Sequence, residues 1–248
     1  MAAFDDMTVR ADASERAKDM EAGVDYRIGH ESRFEGFKSA ERRLETSNYE
    51  TRGYKGQELH EFRFQHEGEF IEPMSRSYAV EKFDDPNRFV ASINPRLDDA
   101  GYSYKVNCAD CARSVERTWR GNHEEAAGRV PCLDTNGAIV PHGEQSSMTE
   151  DWAGERFVST HDDELLRQAL LDGGHGSSAI VHSTWERTDQ QRAGGHAYNA
   201  VNYHGEIRVL DGQIGKSFEW EPGVIHPDLG RNPKHKAIAW NKEGERIW

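Results

Sequence analysis

The chain has 248 residues, enough for one large domain or two small ones and for a sizeable core. Counting glycine and leaving out tyrosine, about 41% of it is apolar, slightly below an average globular domain; 30% is charged and the formal net charge is −13. No apolar run approaches the ~20 residues that span a bilayer, which excludes membrane insertion, and an acidic chain is poorly suited to nucleic acid, whose non-specific binding draws on a cationic surface.

The N-terminal MAAFDDMTVR has no basic stretch followed by an apolar one, so no secretory signal peptide is read there. Residues 1–91 are expected to form an N-terminal extension of unknown role, and 92–248 the functional domain. Within the extension, 13–29 and 33–49 have weak helical periodicity, and 58–73 alternates as a strand or hairpin would. His60 and His66 sit in a charged stretch and read as solvated surface residues.

From Ser92 the pattern sharpens. Asn94-Pro95 marks a turn, and an extended run leads into a helix that opens at Cys108. Cys111, Ala112, Val115 and Trp119 recur at helical spacing, Gly121 is a stop, and Asn107 is expected to cap the start, with support of the site as the alternative role. A second helix is predicted over 161–174, with an acidic first turn and Leu165, Leu166, Ala169 and Leu170 on one side. Strands are predicted over 177–185, 194–203 and 206–212, the last two as a hairpin turning at Tyr203-His204-Gly205. The tail carries Trp220, Trp240 and Trp248 and should cover the sheet edge or add a strand. Helices followed by antiparallel strands give an α+β class, with helices packed on one sheet.

The cysteines are Cys108, Cys111 and Cys132, too few and of the wrong parity for a disulfide scaffold. Cys108 opens a helix, where unpaired N–H groups and the helix dipole stabilise a thiolate and can bind an oxyanion. Cys111 reads as a packed helix residue and Cys132 as a small buried one. A nucleophilic thiol needs a base, and His196 starts an alternating strand that would hold its ring rigidly. The base needs an acceptor on its other nitrogen. Asp211 ends the partner strand, at a register that makes it a cross-strand or diagonal neighbour of His196. Gln213 is read as supporting the site, binding substrate or serving a structural role.

Other readings compete. Cys108, Cys111, Cys132 and His142 form an admissible Cys3His zinc spacing, as in a non-catalytic interaction module, but the first pair falls inside a helix. Cys108 and Cys111 also match a redox dithiol, without the βαβ context that chemistry expects. The triad reading is preferred, and it requires neither a metal nor an organic cofactor.

Several pieces of the chain together resemble the papain-fold toxin domains known as toxin glutamine deamidases. These are Asn94-Pro95, Asn107-Cys108-Ala-Asp-Cys111 opening a helix that ends in Arg-Gly, Gly195-His196-Ala-Tyr-Asn-Ala-Val, and Leu210-Asp211-Gly-Gln213-Ile-Gly215. The resemblance implies a papain-like cysteine-hydrolase fold and a catalytic triad of Cys108, His196 and Asp211. It implies a bacterial toxin effector that deamidates glutamine in a target-cell protein, is delivered into that cell, and has a cognate immunity protein. Papain-like folds also host proteases and transglutaminases, which stand as alternative activities.

Overall fold

A computed structural model describes residues 70–71, 77–98, 103–129, 132–133, 139–140, 143–189, 191–221, 225–227, 229 and 231–248. The helical pieces expected over 13–49, and the readings of His60, His66, His142 and the Cys132 side chain, lie outside the described residues. Of the strand expected over 58–73, Phe70–Ile71 is described and pairs antiparallel with Gly128–Arg129.

The helix expected at Cys108 is α1, Cys108–Trp119. It ends because Gly121 adopts φ 99°, a left-handed conformation that suits glycine at a helix stop. Cys111, Val115 and Trp119 pack on Val90, Ile93, Val201 and Leu210, while Ala109 and Ala112 pack on Ile180, Ala197 and Ile238. The polar side of α1 is buried too, where an amphipathic helix would face water. Burial of charge is tolerable only with close partners, and they are present. Arg113 pairs with Asp110 and Glu144, Arg117 with Glu124, and Arg120 with Glu116. The helix is therefore a central element rather than a surface one.

Two further helices are α2, Ser146–Ala153, and α3, Asp163–Asp172. Asp162 caps α3 by accepting from the Glu164 N–H at 2.9 Å. Leu166 and Leu170 face the core, whereas Leu165, expected on the same side, is exposed because it lies one residue, about 100°, round the helix from Leu166.

Six strands form one antiparallel sheet: β1 Val158–Thr160, β2 Ser178–Trp185, β3 Gly194–Tyr203, β4 Glu206–Asp211, β5 Lys216–Glu219 and β6 Lys234–Trp240. Their spatial order is β5-β4-β3-β2-β6-β1. The tail thus adds a strand, and it inserts between β2 and β1 instead of lying on an edge. The β3–β4 hairpin turns on His204 and Gly205, both with positive φ, as a two-residue type I′ turn needs.

Strand periodicity divides the core. Ile180, Ala197, Val201, Leu210 and Ile238 face α1, while Val181, Tyr198, Ala200, Val209 and Ala237 face α3 and Trp220. Helices thus pack on both faces of the sheet, the α+β arrangement expected. The site lies where the mouth of α1 meets the start of β3 and the end of β4.

Trp119 anchors the opposite end of α1: it is fully buried and its indole N–H donates to the Gly176 carbonyl at 3.0 Å. Replacing it with alanine is expected to cost about 3–5 kcal/mol, read as a lower urea midpoint. An unchanged midpoint would show that α1 is not anchored there.

Candidate active site

The first α1 ladder bond runs from the Cys111 N–H to the Asn107 carbonyl at 2.9 Å. The N–H groups before it belong to the helix mouth, which carries partial positive charge. Cys108 stands there, half-buried, with the His196 ring beside its thiol. Cys111, one turn on, is fully buried against Val115 and Ile93.

The β3–β4 ladder runs to the Leu210–Asn199 pair. Continued by one residue, the register sets Asp211 opposite Tyr198, which makes His196 its diagonal neighbour. The His196 Nε2–H donates to Asp211 Oδ2 at 2.8 Å. An ionised carboxylate only accepts, so Nε2 carries the proton and Nδ1 is the ring atom left for the thiol.

Asp211 is held on both oxygens. Its Oδ1 accepts from the Gln213 N–H at 2.9 Å and the Ile214 N–H at 3.3 Å. Its Oδ2 accepts a second imidazole, His226 Nε2, at 3.0 Å. The sequence offered no sign of His226: it comes from the segment between β5 and β6, where no alternation or spacing ties it to Asp211.

These contacts set the charges. Burial alone would raise the Asp211 carboxyl, but the two imidazoles hold it well below the usual carboxylate range. Burial alone would lower His196, yet its bonds to Asp211 and Cys108 push it up to about 10. Burial alone would raise the Cys108 thiol, and the His196 ring overrides it, so the thiol lies below its ordinary value. Cys111, with burial dominant, is raised well above its ordinary value. The arrangement favours a thiolate at Cys108 beside an imidazolium at His196, and leaves Cys111 a thiol.

Asn107 does not cap α1 through its side chain. Its backbone, at φ −104° and ψ 22°, lies outside the extended region usual for a cap, and the side chain turns away from its own helix. Its Nδ2 donates to Asn94 Oδ1 at 3.1 Å and to the Ala127 carbonyl at 3.0 Å. Its Oδ1 accepts from Gln213 Nε2 at 3.2 Å. Asn94 in turn donates to the carbonyls of Tyr104 and Gln213, each at 2.9 Å. These amides tie the residue before Cys108 to the turn after Asp211. Gln213 is thereby a brace between the two ends of the site.

Fold and site together define a class: a papain-like domain with a cysteine at a helix mouth and an imidazole on the neighbouring strand. The family comparison agrees. Residues 106–216 match the family described as Papain fold toxin 1, glutamine deamidase. That match supports a toxin-type domain with hydrolase-like chemistry. No curated protein matches the chain. Among solved structures, the Salmonella effector SpvD, in its G161 variant, is similar at 10% identity and a TM-score of 0.42 over 95% of this chain and 98% of that one. So loose a likeness carries no inference.

The thiol provides a direct check. Iodoacetamide should label Cys108 readily near pH 6, where an ordinary thiol of pKa ~8.5 is almost wholly protonated. In His196→Ala the lowering contact is gone and burial remains, so the thiol rises. Labelling at that pH should then fall about tenfold or more, one unit of pKa being tenfold in thiolate. Equal labelling of the two proteins would contradict this electrostatic account.

Proposed function

We propose that this chain is a bacterial toxin effector that deamidates a glutamine side chain in a target-cell protein, with Cys108 as nucleophile, His196 as general base and acid, and Asp211 as orienting carboxylate. The observation that supports it best is the His196–Asp211 hydrogen bond with Cys108 placed beside the same ring, inside the segment that matches the deamidase family.

The chemistry follows from the charges. The Cys108 thiolate attacks the carboxamide carbon of the glutamine, and the carbonyl oxygen becomes an oxyanion. Helix-mouth N–H groups near Cys108 are suited to receive that charge. The His196 imidazolium then gives its Nδ1 proton to the leaving nitrogen as the C–N bond breaks. Ammonia departs and a thioester remains on Sγ. The ring, now neutral at Nδ1, takes a proton from water, whose oxygen attacks the thioester. The C–S bond breaks, the target is left with glutamate, and the thiolate–imidazolium pair is restored. Asp211 stays ionised throughout and keeps Nε2 protonated, so that Nδ1 does the proton transfer. The steps call for no metal or organic cofactor.

In this reading the effector is delivered into its target cell, and the producing cell needs an immunity protein to neutralise it. A net charge of −13 favours encounter with cationic surfaces on either partner.

The reaction is tested by mass spectrometry of treated target-cell proteins. The expected product is one glutamine converted to glutamate with ammonia released and no chain cut. Cys108→Ala should abolish the conversion while the protein stays folded, and Cys111→Ala should keep it. Asp211→Asn should lower kcat by about 10²–10⁴-fold, through loss of the orienting charge. Two fragments in place of one modified chain would indicate a protease, and an incorporated amine a transglutaminase. Activity surviving in Cys108→Ala would overturn the nucleophile assignment.

A further inference from the structure

Asp211 serves two rings at one oxygen. His196 and His226 both donate to Oδ2, at 2.8 and 3.0 Å. His226 is only 4% exposed. Its ring stands edge-on to His196, with centroids 5.5 Å apart, and is walled by Tyr198 at 4.9 Å and Phe218 at 5.0 Å. That packing limits rotation of the ring. With Oδ1 held by two backbone N–H groups, a donor on Oδ2 completes the hold on the carboxylate.

We infer that His226 is a positioning residue for the catalytic pair: it fixes the Asp211 carboxylate so that Oδ2 meets His196 Nε2 and the other ring nitrogen meets the Cys108 thiol. This inference rests on the nucleophile–base reading above and adds to it a fourth side chain, one that touches neither sulfur nor substrate. A buried carboxylate that loses a donor must seek another or turn, and either response loosens its bond to His196. A looser bond favours the imidazolium less, and a weaker imidazolium supports less thiolate. Among the described residues, the titratable groups around His196 are Cys108 from α1, Asp211 from β4, Tyr198 from β3, His182 from β2 and His226 itself. Of these, His226 acts on His196 through Asp211, by a bond that a substitution can remove and restore.

The test compares His226→Phe, which keeps an aromatic ring without a donor, with His226→Gln, which keeps an amide donor. Both are made in the full chain, and Cys108 alkylation by iodoacetamide is followed against pH. The expected result for His226→Phe is a thiol profile moved upward, with labelling near pH 6 down about tenfold and labelling in alkali close to wild type. His226→Gln should recover most of the loss. A folded His226→Phe with the wild-type profile would overturn the inference, as would a folded His226→Gln no better than phenylalanine. Should the phenylalanine variant not fold, nitrogen-15 NMR of the wild type decides. The inference requires His226 to carry a proton on Nε2 at neutral pH, and a ring protonated on Nδ1 alone overturns it. A wild-type thiol inert near pH 6 strikes the nucleophile–base reading itself. A reactive wild type matched by His226→Phe strikes only the role of His226.

Discussion

The hydrogen bond from His196 Nε2 to Asp211 Oδ2 is the constraint on which the site depends. Either partner alone would be driven toward neutrality by burial: the carboxyl upward, the imidazole downward. Together they reverse both tendencies. The consequence is carried to a third group, because a ring with Nε2 engaged can present only Nδ1 to the thiol. The Cys108 thiol is lowered by that contact and not by exposure. Its neighbour Cys111 shares the helix, lacks the ring, and is raised instead.

The fold exists, at this end, to keep that bond short. A two-residue hairpin turn fixes the β3–β4 register, and the register fixes the diagonal between Asp211 and His196. Slipping the pairing by one residue would send one of the two side chains to the other face of the sheet. Helix α1 brings the thiol to the same place, and it is held from all sides. Apolar residues press it on the sheet, and buried ion pairs give its charged ones close partners. The amide chain through Asn94, Asn107 and Gln213 spans the remaining gap, joining the mouth of α1 to the turn after Asp211. The groups that order the loops thus also set the positions of Cys108, His196 and Asp211.

Much of this was legible in the residues because it is local or periodic. Helix α1 announces itself by apolar spacing and a glycine stop, and the hairpin by alternation around a short turn. Once the turn is placed, the Asp211–His196 diagonal is a matter of counting. What was not legible is long-range or polar. His226 reaches Asp211 from a segment with no period, and a histidine beside a proline in a tail looks like any other. The polar side of α1 reads as solvated, since periodicity marks which residues can face a core and not which others are later covered. Asn107 illustrates a third limit. Its position before a helix is that of a cap, but three partners from distant segments compete for its amide, and they win. The tail strand was visible as a strand. Its place inside the sheet was not, because strand order depends on packing between faces and not on the strand's own residues.

The most direct measurement on the central pair is an NMR titration of the His196 ring in the intact chain. The account predicts an imidazolium that persists through neutral pH and loses its proton near 10. A ring that titrates near the ordinary value of ~6.5 would contradict it, since it would mean that neither Asp211 nor the Cys108 thiolate holds the charge in place.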